Sequence, residues 1–174
     1  MKSPKAPIEP VIKHTLTHNT YLLQLDLENN PSCVNTQEPN FVTSMATHLY
    51  HDKTINKVRH ALYTPIFYAI RDGNDTSFDL LIEHKDIDIT ITDSHGNTIL
   101  NNAVEAAFRT KNISYAEKIL RKPEANALIH QKNCHCASAL DHVNTLIKQT
   151  TMQYYDRETM ESLLALKNLF EFYS

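Results

Sequence analysis

Apolar positions change their spacing along this chain at about residue 41. Before it, Tyr21, Leu23, Leu25 and Leu27 alternate with Leu22, Gln24, Asp26 and Glu28, a period near two that predicts one short strand or an extended segment laid on the core. Pro4, Pro7, Pro10, Pro31 and Pro39, with the turn signal of Asn29 to Ser32, argue against regular helix over residues 1–40. From Phe41 the period becomes helical: Val42, Met45, Ala46, Leu49 and Tyr50 form one stripe and predict a helix near 41–51. Thr64 as N-cap and Pro65 at the first helical position open a second helix, which Gly73 stops. Phe78, Leu81 and Ile82 share a side of a third, ending near His84, and Ile87, Ile89 and Ile91 then alternate through an extended run.

This pattern of paired helices and an extended link recurs. Thr98 precedes the apolar series Leu100, Ala103, Val104, Ala107 and Phe108; Ser114 and Glu117 read as a capping box for a helix carrying Ile119 and Leu120, which Pro123 ends. Ser138 and Asp141 open a third copy with Leu140, Val143 and Ile147, and a last helix from Asp156 carries Met160, Leu163, Leu164 and Phe170. Three helix pairs in series predict an all-α solenoid.

Aligning the units places Thr64-Pro-Ile-Phe-Tyr-Ala69 over Thr98-Ile-Leu-Asn-Asn-Ala103 and Ser138-Ala-Leu-Asp-His-Val143. This resembles the T-P-L-H-x-A signature of ankyrin repeats. Asp93-Ser-His-Gly96-Asn-Thr98 resembles that family's hairpin ending, Gly73 sits where the family turns between helices, and Leu80 and Leu81 match its paired leucines. Each signature residue has a physical reason: the Thr hydroxyl caps, Pro is tolerated at the first position, and Ala admits a close neighbouring helix. The chain departs from the pattern where Ile99 and Ala139 replace Pro, where Phe67, Asn101 and Asp141 replace His, and where Leu62 and Cys136 stand in the place of the hairpin Gly. The second and third units are longer than the first, which requires elongated helices or an inserted loop. The resemblance covers residues 41–174 as an ankyrin-repeat domain and leaves 1–40 as an N-terminal extension.

The resemblance implies protein recognition through hairpin tips and inner helices. On this chain those are His60, Ala61 and Tyr63; Ser94, His95 and Asn97; Cys134, His135 and Ala137; and Arg71, Asp72, Glu105 and Ala106. Tyr63, Arg71, His95, Asn97, Glu105 and His135 are the expected partner-binding residues, each weighed against an ordinary solvated role. Divergent, glycine-poor repeats rich in Asn also resemble those of effectors of intracellular bacteria, which implies a host protein as partner and the host cytoplasm as setting.

Composition narrows the chemistry. The 174 residues allow one compact unit with an appendage, and a net charge of -3 supplies no basic field for nucleic acid. No apolar run reaches bilayer length and Met1 to Pro10 lacks a signal core, so a soluble cytoplasmic protein is expected. Only Gly73 and Gly96 are glycines, which removes glycine-rich phosphate loops, and no cofactor is expected. His130, Cys134, His135 and Cys136 are zinc-ligand types, but adjacent positions clamp a tetrahedral ion poorly, so no metal is expected. The chain is expected not to be an enzyme; the alternative is a cysteine-dependent enzyme using Cys33 or Cys134 with a site completed by the N-terminal extension. Leu163, Leu166, Leu169, Phe170, Phe172 and Tyr173 cover more than one face of the last helix, to be buried by the N-terminal extension or the third unit, or covered by self-association or a docked partner.

Overall fold

The computed structural model describes residues 10–37, 63–152 and 156–174. The helix expected over 41–51 lies outside them, as do His60, Ala61 and Leu62. Within them the chain forms helices α1 (Pro10–Leu16), α2 (Thr20–Asn29), α3 (Pro65–Asp72), α4 (Asp75–Ile82), α5 (Ile99–Thr110), α6 (Ser114–Leu120), α7 (Ala125–His130), α8 (Ala139–Met152) and α9 (Arg157–Tyr173), with a 3-10 turn over Pro31–Asn35. There is no strand among the described residues.

The N-terminal segment departs from the extended reading. Tyr21, Leu23, Leu25 and Leu27 lie in α2, where Leu23 and Leu27, four apart, are buried, while Tyr21 and Leu25 are exposed. The alternation was therefore two faces of a helix rather than one face of a strand. Asn19 starts this helix by accepting the Leu22 N–H at 3.1 Å, and the prolines are harmless because Pro10 begins α1 and Pro31 begins the 3-10 turn. α1 packs on α2 and α3, and α2 on α4, so a further helix pair stands ahead of the first signature unit. Asn74 fastens the joint: its Oδ1 accepts from Ser77 N–H at 3.1 Å and its Nδ2 donates to the Thr15 carbonyl at 3.1 Å.

The repeating units follow the expected plan with local changes. α3 is buried on nearly all sides, from Ile66 through Ile70, because α1, α4 and α5 surround it. Gly73 ends it at φ 69. In α5, Leu100, Ala103, Val104 and Ala107 are all buried, and so is Ala106, which removes that residue from the candidate binding surface. The Ser114 and Glu117 capping box does not form: Ser114 is already helical, and its N–H donates to Asn112 Oδ1 at 2.9 Å instead. The extra length of the second unit appears as a 12-residue α5 against an 8-residue α3, followed by α7. The third is longer through α8 with 14 residues and α9 with 17.

α9 packs on α8, α5 and α6, which buries Leu163, Leu166 and Phe170 completely. Leu169 and Tyr173 pack partly on the core, leaving Leu164 and Phe172 exposed, the latter at 82%. On the outer side Tyr115 of α6 joins α4, its ring edge-on to Phe78 at 4.7 Å and its hydroxyl donating to Asp75 Oδ1 at 2.6 Å.

Candidate functional site

Two hairpin turns of the same construction frame the site. In the first, the Asp93 carboxylate accepts from His95 N–H at 2.8 Å and Asn97 N–H at 2.9 Å, and the backbone closes through Gly96 N–H to the Asp93 carbonyl and Asp93 N–H to the Asn97 carbonyl. Forty positions on, Asn133 Oδ1 accepts from His135 N–H at 2.9 Å and Ala137 N–H at 3.1 Å, with the same two backbone bonds. A short polar side chain facing its own turn is what both positions require. The left-handed residue is Gly96 in one turn (φ 73) and Cys136 in the other (φ 58), so Cys136 does stand in the place of a glycine. The turns stack through Cys134 N–H donating to the His95 carbonyl at 2.8 Å and Asn133 Nδ2 donating to Asn97 Oδ1 at 2.7 Å. A Cβ on Gly96 would meet Asn133 Cα at 3.3 Å, which shows how close the two backbones run.

Each turn feeds a capped inner helix. Thr98 N–H and hydroxyl donate to Asn101 Oδ1 at 2.8 and 2.9 Å, and Ser138 does the same to Asp141 Oδ2 at 3.0 and 2.9 Å. These bonds from Ser138 hold the Asp141 carboxyl below its ordinary range. Residues at the family's His position thus serve as reciprocal caps in the second and third units.

Between the turns and the faces of α5 and α8 lies an open groove of about 370 Å³, lined by Tyr63, Asn97, Asn101, Asn102, Glu105, Asn133, His135, Ala137, His142 and Thr145. Four of the six expected partner-binding residues, Tyr63, Asn97, Glu105 and His135, meet in it. Arg71 and His95 do not line it. Arg71 lies over the Tyr68 ring at 4.9 Å and pairs with Asp72, and its carbonyl accepts from Arg109. His95 contributes its backbone to the hairpin stack rather than its ring to the groove.

Glu105 Oε1 and His142 Nε2 meet in the groove at 3.0 Å. The hydrogen bond from His142 holds the Glu105 carboxyl below its ordinary range, aided by Arg109. Burial pushes the Tyr63 phenol above its usual value, with Asp93 adding to the shift, so the groove offers a neutral hydroxyl beside a stacked Phe67. His142, Asn101 and Asn102 were not among the sequence candidates. Their signal was the same repeat alignment, since Glu105 and His142 occupy adjacent inner helices, but a pair formed across two units has no mark in either one.

The cysteines and histidines at the second turn form no cluster. Among the described residues no group of three ligand-type side chains is placed to hold a metal, and His130 instead lies 3.2 Å from the Ser174 hydroxyl. Cys33 is buried against the Asp26 carbonyl, and Cys134 and Cys136 are exposed on the turn.

No family model and no curated protein matches the sequence. The crystal structure of an ankyrin repeat protein does match, with a TM-score of 0.52 at 20% identity over 90% of this chain. The chain has an ankyrin-repeat fold. It spans 63% of the length of that ankyrin protein. In the ankyrin frame, the groove lies where hairpin turns and inner helices of successive repeats meet. No helix of the described residues is long and apolar enough to cross a membrane.

Proposed function

We propose that this ankyrin array is a protein-protein interaction module without catalytic activity, and that its partner is held in the groove lined by Tyr63, Asn97, Glu105 and His135. The observation that carries the reading is the convergence of these residues from three successive units on one open groove. A surface assembled from neighbouring repeats is the arrangement by which solenoids recognise partners. Arg71 and His95, which do not line the groove, are assigned to its rim in this reading. Residues 41–174 are assigned as the repeat domain and 1–40 as an extension that adds a helix pair. The cysteine-dependent alternative gains nothing from the described residues, where Cys33 is 8% exposed. The divergent, glycine-poor repeats further support a bacterial effector that acts on a host protein in the host cytoplasm.

The test is capture of partners from eukaryotic lysate by the intact protein and by a variant carrying Asn97→Ala, Glu105→Ala and His135→Ala, after equal melting temperatures are established. Loss of a captured protein by the variant alone supports the groove; equal capture refutes it. A second reading, self-association, is favoured by Leu164 and Phe172, which stay 44% and 82% exposed on α9. It predicts a concentration-dependent mass that Phe172→Glu abolishes. Leu166 and Phe170 are unsuitable for that test, because both are fully buried and a charge there would unfold the protein.

A further inference from the structure

We propose that the groove holds an extended, arginine-bearing peptide segment of the partner, with the C=O and N–H of one residue bridged between Asn101 and Asn102 and the guanidinium against Glu105. This rests on the groove being the binding face. Asn101 is only 4% exposed, and its amide is fixed in one orientation because its Oδ1 accepts both donors of Thr98. Asn101 lines the open groove, and its Nδ2 donates to no protein atom among the described residues. This unused donor is available to an acceptor from outside.

Asn102 supplies the opposite polarity. Its Nδ2 donates to the Thr98 carbonyl at 3.4 Å, which leaves its Oδ1 as an acceptor on the same groove wall. A donor and an acceptor on one groove wall match the C=O and N–H of a single residue, which an extended chain presents on the same side. Charge supplies the selectivity. Glu105 keeps half of its side chain in solvent and its pKa lies below the ordinary value, while His142 engages it through a single contact at 3.0 Å. Arg109, the nearest cation on the same helix, is spent on the Arg71 carbonyl at 3.1 Å. A guanidinium offers the planar pair of donors that a carboxylate accepts best.

The third unit provides the control. Asp141 caps Ser138 in the same way that Asn101 caps Thr98, so Asn101→Asp keeps the helix cap and removes the Nδ2 donor. It also adds negative charge, which by electrostatics alone would tighten binding of a basic peptide. The probe is a terminally blocked heptapeptide of alanine and glycine with a central arginine, titrated into the isotope-labelled full chain while side-chain amide resonances are followed. A second probe carries citrulline, the neutral isostere of arginine.

The expected result is a saturable shift of the Asn101 side-chain amide. With it come affinity about tenfold weaker for Asn101→Asp at unchanged melting temperature and weaker binding of the citrulline peptide. Glu105→Gln should remove the difference between the two peptides. Unchanged or tighter binding by Asn101→Asp, equal affinity for both peptides, or groove resonances unmoved by either would each overturn the proposal. If the Asn97, Glu105 and His135 variant loses its captured partner while peptide binding ignores Asn101, this inference falls and the groove reading stands.

Discussion

Replacing each of the two glycines by alanine separates backbone strain from hairpin stacking. Gly73 and Gly96 share nearly the same conformation, with φ of 69 and 73, but a Cβ on Gly73 meets nothing within 4 Å, whereas one on Gly96 meets Asn133 Cα at 3.3 Å and Cys134 N at 3.4 Å. Gly73→Ala should therefore cost only the left-handed penalty, about 1 to 2 kcal/mol. Gly96→Ala incurs that penalty and also presses on the backbone that carries the 2.8 Å bond from Cys134 N–H to the His95 carbonyl, so weakening one hydrogen bond adds roughly 1 kcal/mol. Cys136 at φ 58 supplies the opposite case: Cys136→Gly relieves strain and should stabilise by about 1 kcal/mol, less the entropy of the freer unfolded chain. Urea unfolding followed by circular dichroism, with the three variants beside the parent at equal m, reads these differences as midpoint shifts. If Gly96→Ala costs no more than Gly73→Ala, the turns are not held together as the distances require, and the framing of the groove by stacked hairpins is wrong.

Asn74→Asp keeps the cap to Ser77 but sets a carboxylate against the Thr15 carbonyl, so amide exchange in α1 and α2 should accelerate by about tenfold or more while α8 and α9 are unchanged; unaltered exchange in α1 and α2 would show that Asn74 does not hold that pair. Burial and its bond to Asp75 push the Tyr115 phenol above the ordinary tyrosine value of 10.0. The folded value exceeds the unfolded one, so this group's contribution is complete below pH 10 and is lost as pH rises above it. Among the eight tyrosines, absorbance titration should show Tyr63 and Tyr115 ionising late, and Tyr115→Phe should remove the later part of that step. Glu105 has the opposite sign: its lowered pKa stabilises the fold above about pH 4.5 and that contribution disappears as pH falls through the folded value, so Glu105→Gln should flatten the acid limb of a stability profile slightly.

Much of the repeat array could be read from sequence because its signals are local. Thr98, Leu100, Ala103, Val104 and Ala107 state cap and buried face within ten residues, and Asp93 with Gly96 states the turn. The N-terminal pair was missed because leucines at 23, 25 and 27 fit a strand as well as a helix, and only Asn19 as cap with Leu23 and Leu27 four apart favours α2. The failed cap at Ser114 has a similar origin. Lys111 takes the left-handed conformation at φ 63, a shape lysine does not advertise, and the chain then enters α6 through Asn112. Of the groove's lining, Tyr63, Asn97, Glu105 and His135 could be singled out by repeat position, whereas the contact of Glu105 with His142 and the unused donor of Asn101 arise between side chains that only folding brings into one groove.

The most direct test of the groove as the binding face is site-specific photo-crosslinking. A photoreactive amino acid is placed at His135, exposed beside the groove, and separately at Thr76, exposed on the outer helix α4, and both proteins are irradiated in the same lysate. The account predicts a discrete crosslinked band from position 135 that is absent from position 76 and disappears when Glu105→Ala and Asn97→Ala are added. A band from position 76 with none from position 135 would contradict it.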